Sequence, residues 1–154
     1  MPESREVDIL LVEDNPSDAE LTLHALNRKD FSRSVHTVRD GEEALDFLFC
    51  RGDYSGRTFE SPPRLVLLDV KLPKVNGLEV LQKVKEDPRT RAIPIVMLTS
   101  SREERDLIAG YKHGANSYIQ KPLDFMEFRE TAKHLGLYWL TLNVAPPARA
   151  FDSE

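Results

Sequence analysis

Five polar side chains stand where short apolar runs of the sequence stop, and together they could do phosphate chemistry. They are Glu13, Asp14, Asp69, Thr99 and Lys121. Carboxylates that lie close together resist ionising at the same time unless a cation binds among them. Mg²⁺ prefers oxygen ligands and usually keeps waters, which leaves room for a phosphate oxygen. The sequence therefore predicts a Mg²⁺ site, provided that the fold brings these residues together.

The summed charges of such a site favour attack on phosphorus. The three carboxylates, Lys121 and one Mg²⁺ sum to zero, so an incoming phosphoryl group of about −2 meets a metal ion and an ammonium group. Asp69 can then act as a carboxylate nucleophile, while the metal and Lys121 stabilise the equatorial oxygens. The expected product is an aspartyl phosphate.

Alternating apolar strands and amphipathic helices position these residues. The pattern repeats five times, which is typical of a parallel sheet covered by helices on both faces. Strands are predicted over 7–12, 35–38, 65–68, 95–98 and 117–120, and helices after Asn15, after Gly41, over about 78–86, over about 103–111 and after Asp124, with a long loop at 50–63. In doubly wound sheets the ligand crevice lies beyond the carboxyl ends of the strands. We therefore expect the polar residues at one edge of the sheet.

Composition is that of one acidic globular domain. The chain has 154 residues, 40% of them hydrophobic and 31% charged, and its net charge of −5 argues against nucleic-acid phosphates as the main ligand. Its apolar runs are too short to cross a membrane and its first residues lack an apolar signal segment. We expect a cytoplasmic protein with neither nucleic-acid nor membrane partners. The single Cys50 is expected to be a small buried residue.

Four motifs together resemble the receiver domain of bacterial two-component response regulators. They are LLVEDN at 10–15, LLDVKLP at 67–73 followed by Gly77, PIVMLT at 94–99, and GANSYIQKP at 114–122. The resemblance covers about residues 7–135. It implies a flavodoxin-like α/β fold, a (βα)5 doubly wound parallel sheet with strand order 2-1-3-4-5.

The resemblance also implies the metal ligands and the phosphoacceptor. Glu13 and Asp14 match the acidic pair, Asp69 matches the phosphoacceptor, and Lys71 matches the residue that gives a backbone carbonyl to Mg²⁺. Many receivers have Asp at the position of Glu13. The extra methylene of Glu13 leaves open whether it reaches the metal directly or through water.

Further matching residues are implied to act when the phosphoryl group arrives. Thr99 matches the switch hydroxyl, Tyr118 the switch aromatic residue and Lys121 the lysine that contacts phosphate. Family members usually hold the peptide bond equivalent to Lys121–Pro122 in the cis form. Thr99 and Lys121 are therefore expected to act beside Asp69 in catalysis.

The chain resembles a narrower group as well, the single-domain regulators that often serve bacterial phytochrome histidine kinases. The signals are the long loop at 50–63 and the segment LYWL at 137–140. Too few residues follow Pro122 for a helix-turn-helix effector domain, so output is expected to pass through protein contacts. The predicted organisation is an N-terminal tail over 1–6, a receiver domain over 7–137 and a C-terminal extension over 138–154.

An apolar stripe runs along the last predicted helix and past the expected end of the domain. Its members recur every three or four residues: Phe125, Phe128, Ala132, Leu135, Trp139 and Leu142. Tyr138, Trp139 and Leu142 are expected to form a homodimer or partner contact, with a helix end folded back on its own domain as the alternative. The other expected partners are a sensor histidine kinase and a downstream phosphotransfer protein.

Two other classes of protein fit part of the pattern. A phosphatase of the haloacid dehalogenase type also forms an aspartyl phosphate, but it needs a second Asp two residues after the nucleophile, where this chain has Lys71. A pseudo-receiver usually lacks part of the acidic pair, Asp69 or Lys121, and all of these are present. The sequence thus favours a phosphoacceptor with self-catalysed phosphorylation and dephosphorylation and no separate substrate turnover. The four histidines lie at no strand end, so neither a metal nor a relay role is expected for them.

Overall fold

The computed structural model describes residues 7–26, 35–70, 72–99, 112, 114–115 and 117–120, which form a parallel sheet with helices on both faces. The strands are β1 (Ile9–Val12), β2 (Val35–Val38), β3 (Leu65–Leu68), β4 (Ile95–Thr99) and β5 (Ser117–Gln120). The helices are α1 (Pro16–Leu26), α2 (Gly41–Leu48) and α3 (Gly77–Glu86), with a 3₁₀ turn at Gly52–Tyr54. Among these residues, no helix combines the length and apolar character needed to cross a membrane.

The strand order is β2-β1-β3-β4-β5, as predicted. Strand β1 begins later than predicted, because Ile9 is the first residue in register with both neighbours, Val35 and Leu65. Strand β4 extends one residue further than predicted, since Thr99 still pairs with Gln120. The helices predicted over about 103–111 and after Asp124 lie outside the described residues.

Alternation along the central strands divides the core into two layers. Leu10 and Val12 of β1 pack toward α2 and α3, whereas Ile9 and Leu11 pack toward α1. Strand β3 repeats the pattern, with Val66 and Leu68 on one face and Leu65 and Leu67 on the other. All residues of both strands are buried, as expected for strands covered on two faces. This double burial fixes the register that positions the strand ends.

Each described helix begins with a capping side chain just beyond a strand or its following loop. The Asn15 side chain accepts a hydrogen bond from the Asp18 N–H (3.0 Å), and the Asp40 carboxylate accepts one from the Glu43 N–H (2.8 Å). The Asn76 side chain accepts one from the Leu78 N–H (2.8 Å). Such caps satisfy backbone donors that the first helical turn leaves without partners. These hydrogen bonds fix the start of each helix relative to the loop that precedes it.

Cys50 is half-buried, so the expectation of a small buried residue is wrong. Helix α2 ends in a Schellman motif, in which the Arg51 N–H donates to the Asp46 carbonyl (3.0 Å) and the Cys50 N–H to the Phe47 carbonyl (3.3 Å). Cys50 occupies the left-handed position of that motif with φ 56°. The position lies beyond the helix, at the surface, and is more often filled by glycine.

Candidate functional site

The register of the sheet brings Glu13 and Asp69 side by side. Val12 of β1 is paired with Leu68 of β3, so the two acids follow paired residues. The Asp69 N–H donates to the Val12 carbonyl (3.2 Å), and the Glu13 N–H donates to the Val38 carbonyl of β2 (3.0 Å). These hydrogen bonds continue the pairing one residue past each strand. The backbone of both acids is therefore held by the sheet itself.

The three predicted carboxylates form one cluster. One oxygen from each of Glu13, Asp14 and Asp69 lies within 4.8 Å of the other two. Glu13 is 3% exposed and Asp69 is 8% exposed, while Asp14 is exposed to solvent. An all-oxygen set of negative charges suits a hard divalent cation such as Mg²⁺ or Mn²⁺. The residues present therefore fit the metal that the sequence predicts, with the cluster closed toward the core and open toward solvent.

The start of α1 orients Glu13. The Glu13 carboxylate accepts a hydrogen bond from the Asn15 N–H (3.3 Å), and the Asn15 side chain in turn caps α1. Because the N-terminus of a helix favours negative charge, this arrangement also offsets part of the repulsion among the acids. The same short segment thus ends β1, supplies the acidic pair and starts α1.

Gly77 fixes the backbone of Asp69. The Gly77 N–H donates to the Val70 carbonyl (2.8 Å). A Cβ atom at position 77 would overlap the Asp69 carbonyl oxygen, so only glycine allows α3 to start this close to the acid. From the sequence, Gly77 was identified as part of a motif, and its contact with Asp69 was not predicted.

For two further predicted site residues the structure describes the backbone but not the side chain. Thr99 ends β4 at the same edge of the sheet as Asp69, and Tyr118 lies in β5 paired with Met97. Their side chains lie outside the described part of the chain, as do the remaining predicted residues, Lys71, Lys121, Pro122, Tyr138, Trp139 and Leu142. The roles of these residues and the cis Lys121–Pro122 bond stay predictions.

A second polar cluster, which we call the His36 cluster, consists of His36, Glu43, Phe47, Tyr54 and Arg57. The Tyr54 hydroxyl donates to the Glu43 carboxylate (2.7 Å) and lies 2.9 Å from His36 Nε2. Since the single hydroxyl proton goes to Glu43, Nε2 is the donor to Tyr54. Arg57 stacks its guanidinium 3.7 Å from the centre of the Phe47 ring. A hydrogen-bonded chain through a histidine was not predicted from the sequence.

Burial sets the proton affinities in the His36 cluster. It lowers the pKa of His36, an effect that the nearby Glu43 carboxylate opposes and Arg57 reinforces. Burial together with the hydrogen bond to Glu43 raises the pKa of Tyr54, so its hydroxyl stays protonated. The chain Glu43–Tyr54–His36 is consequently a fixed structural arrangement near neutral pH.

Fold and acidic cluster together define a doubly wound α/β protein with a carboxylate site at the carboxyl edge of its sheet. The model of the response regulator receiver domain matches residues 9–133. The chain therefore belongs to the response regulator receiver domain family. Its function is that of a receiver in two-component phosphorelay signalling, and it is not a conventional enzyme. Members of this family bind a divalent metal ion.

Three proteins show how extensive the similarity is. The phosphorylated cyanobacterial phytochrome response regulator RcpA has a TM-score of 0.86 and 37% identity, with 92% of this chain and 99% of that chain covered. The Mn²⁺-bound form of Rcp1, a response regulator of Synechocystis, has a TM-score of 0.83 and 35% identity, covering 90% and 97%. The bacteriophytochrome response regulator AtBRR is 51% identical with a TM-score of 0.70, covering 91% and 100%. The similarity thus extends over nearly the whole of each relative.

Proposed function

We propose that this protein accepts a phosphoryl group on Asp69 from a sensor histidine kinase, in a reaction that requires Mg²⁺. The observation that carries the proposal is the cluster of Glu13, Asp14 and Asp69, whose carboxylate oxygens lie within 4.8 Å of one another at the edge of the sheet. Asp69 is the central acid of this proposal because it follows a strand buried on both faces and is 8% exposed. An incoming phosphoryl group can reach it from the solvent side only.

The proposed chemistry is a transfer between a histidine nitrogen and a carboxylate. A carboxylate oxygen of Asp69 forms the new O–P bond, the P–N bond of the phosphohistidine breaks, and its electron pair returns to the imidazole. Glu13, Asp14, Asp69 and the backbone carbonyl of Lys71 would hold the Mg²⁺, with Glu13 bound directly or through water. When bound, Mg²⁺ supplies positive charge beside the transferred oxygens.

Lys121 completes this proposed site. The Lys121 ammonium would pair with a phosphoryl oxygen and offset the charge that Asp69 acquires. Glu13 and Asp14 would hold the metal while Asp69 carries the phosphoryl group. The chain would in this way supply its own catalytic groups for both phosphorylation and dephosphorylation.

The proposed switch links Asp69 to Tyr118. A phosphoryl oxygen on Asp69 would accept a hydrogen bond from the Thr99 hydroxyl, drawing the residues after β4 inward and opening space for Tyr118 to rotate. Support comes from the backbone, since Thr99 ends the strand beside β3 and Tyr118 lies on the strand next to it. In Thr99→Ala, we expect Asp69 to be labelled while the phosphorylation-dependent signal of Tyr118 is lost.

We propose a phytochrome-type histidine kinase as the cognate kinase, acting in the cytoplasm. The support is the similarity to RcpA and AtBRR, which are phytochrome and bacteriophytochrome response regulators. The receiver domain would cover 7–137 and the extension 138–154, with output through a homodimer or a downstream phosphotransfer protein.

The homodimer would use Tyr138, Trp139 and Leu142 of the extension. Aromatic residues at such contacts often carry much of the binding energy, each about 2 kcal/mol or more on truncation. The double variant Tyr138→Ala with Trp139→Ala should therefore shift sedimentation toward the monomer while Asp69 is still phosphorylated. Wild-type protein that sediments as a monomer with and without phosphodonor would contradict the dimer.

The function is tested by labelling the protein with a radiolabelled acyl phosphate or a phosphorylated histidine kinase. Wild-type protein should take up an acid-labile label, which hydroxylamine also releases as expected for an acyl phosphate, only with Mg²⁺, and Asp69→Asn should take up none. Asp53→Asn is the matched control, because Asp53 is an exposed acid in the 3₁₀ turn. Full labelling of Asp69→Asn, or of wild-type protein in excess chelator, would contradict the assignment.

A further inference from the structure

The loop between β3 and α3 turns sharply at Lys74. Lys74 has φ 68°, and the Val75 N–H donates to the Pro73 carbonyl (2.8 Å). A hydrogen bond from residue i+2 to residue i around a positive φ is a γ-turn of the rare, strained type. Strained backbone of this kind persists only where the surrounding structure holds it. We call residues 73–75 the γ-turn.

The first residue of α2 holds the γ-turn. The Gly41 N–H donates to the Pro73 carbonyl (3.3 Å), and Gly41 is buried. A Cβ atom at position 41 would overlap the Val75 carbonyl oxygen. Gly41 does not have a positive φ, so its own backbone does not require glycine. The requirement comes from the close approach of the γ-turn.

Ion pairs contribute less than this packing. Lys74 Nζ lies 3.7 Å from the Asp40 carboxylate and 3.6 Å from the Glu42 carboxylate. The side chains of Lys74 and Glu42 are 61% and 62% exposed. Pairs this exposed are weak, because water screens them. Gly41 is therefore the main anchor of the γ-turn.

The same loop is anchored to Asp69 at its other end. Gly77 bonds to the Val70 carbonyl and packs against the Asp69 carbonyl oxygen, without room for a Cβ atom. Between Val70 and the γ-turn only residues 71 and 72 intervene. Only a short stretch of backbone therefore joins the γ-turn to Val70 and Asp69.

We propose that Gly41 is a positioning residue for the metal site: it seats the γ-turn and thereby holds in place the short loop that follows Asp69 of the acidic cluster. The proposal rests on the proposed function, in which the Lys71 carbonyl is a Mg²⁺ ligand. In this role Gly41 acts through the γ-turn and not as a ligand of the metal. It connects the start of α2 to metal binding through the β3–α3 loop.

The first experiment measures Mg²⁺ binding to Gly41→Ala by isothermal titration calorimetry, without any phosphodonor. We expect about tenfold weaker binding, the size typical of losing support around a metal ligand. Gly56→Ala is the matched control, because a Cβ atom there meets nothing within 4 Å. Its Mg²⁺ affinity should equal that of wild-type protein. Circular dichroism gives the folded fraction of each variant, and each Mg²⁺ affinity is calculated for the folded protein only.

A second pair of variants changes the γ-turn from its exposed side. Lys74→Val and Lys74→Asn both remove the ammonium group, but β-branched Val resists a positive φ whereas Asn tolerates it. Lys74 is exposed, so neither change disturbs the core. Lys74→Val should weaken Mg²⁺ binding about as much as Gly41→Ala, about tenfold. Lys74→Asn should bind like wild-type protein.

The outcomes separate positioning from mere stability. Folded Gly41→Ala with wild-type Mg²⁺ affinity would overturn the inference and leave the proposed function intact, provided that Asp14→Asn loses affinity. If Gly41→Ala does not fold, the Lys74 variants decide, and equal affinities of Lys74→Val and Lys74→Asn would overturn the inference. Wild-type protein that binds no Mg²⁺ would overturn the proposed function together with it.

Discussion

At the carboxyl edge of the sheet three like charges lie with oxygens within 4.8 Å of one another, whereas the His36 cluster alternates acid, phenol, imidazole, aromatic ring and guanidinium. Repulsion in the first region opposes folding unless a cation is bound. The second region gains from its hydrogen bonds and ring contacts without any ligand. The two regions are both fastened to β2, since Glu13 bonds to the Val38 carbonyl and His36 lies on that strand.

The difference indicates that one region stabilises the fold and the other binds a ligand. Ring centres in the His36 cluster lie 5.0 Å apart for Phe47 with Tyr54 and 5.2 Å apart for Phe47 with His36, distances at which aromatic rings attract. Such a region stabilises the fold. The acidic cluster instead brings three carboxylates of the same sign close together, which is a feature expected of a binding site. Variants in the His36 cluster should accordingly change the free energy of unfolding alone. Variants in the acidic cluster should change both the free energy of unfolding and Mg²⁺ binding.

The largest effect is expected from Phe47→Ala. Phe47 is 1% exposed and contacts the rings of His36 and Tyr54 and the guanidinium of Arg57. Removing its ring should lower the free energy of unfolding by about 3–5 kcal/mol, measured by urea denaturation. The Mg²⁺ affinity of the folded fraction should not change. A decrease in the free energy of unfolding below 1 kcal/mol, or a loss of Mg²⁺ affinity in the folded protein, would contradict the proposed difference between the two regions.

A smaller effect of opposite sign is expected from Asp14→Asn. Removing one of the three clustered charges should raise the free energy of unfolding without metal by about 1 kcal/mol, the repulsion of two unit charges about 4 Å apart in water. The same variant should weaken Mg²⁺ binding, so its stability advantage should vanish at high Mg²⁺. Asp46→Asn is the control, because Asp46 is paired with Arg51 at 2.9 Å and its loss should not stabilise. Asp14→Asn that is less stable than wild-type protein without metal would contradict the expected repulsion.

The smallest effect is the pH dependence due to His36. Its pKa in the folded protein lies below the ordinary value of 6.5, mainly because of burial, so acid protonates the unfolded chain more readily. The stability that neutral His36 contributes is complete above pH 6.5 and falls as the pH is lowered below that value. His36→Gln, which keeps a donor for Tyr54 but does not titrate, should lose less stability between about pH 7 and 5. Equal losses in both proteins, or an NMR titration that places the pKa of His36 above 6.5, would contradict this assignment.

The acidic cluster was predictable because it depends on a general rule of parallel sheets. Apolar runs identify the strands, strand order 2-1-3-4-5 came from the family resemblance, and the carboxyl ends of neighbouring strands share one edge. These steps suffice to bring Glu13, Asp14 and Asp69 together, and the structure confirms that they meet. No step required knowledge of individual side-chain packing.

The supporting contacts were not predictable, because they depend on packing between distant segments. Tyr54 joins Glu43 and His36 from a segment that the sequence presents as a loop rich in turn residues. A positive φ at Lys74 has no signal in the sequence, since lysine does not favour it and Gly77 lies three residues further on. The sequence places Gly41 before a predicted helix and Gly77 in a motif, and only the structure shows that each makes room for a carbonyl oxygen.

The most direct measurement is to locate the phosphoryl group in the chain. Wild-type protein phosphorylated with Mg²⁺ is reduced with borohydride, which converts an aspartyl phosphate into homoserine, and is then digested and mapped by mass spectrometry. The account predicts homoserine at position 69 and nowhere else, and none when chelator replaces Mg²⁺. Modification at Asp14 or Glu13, at a histidine, or at Asp69 without a divalent metal would contradict it.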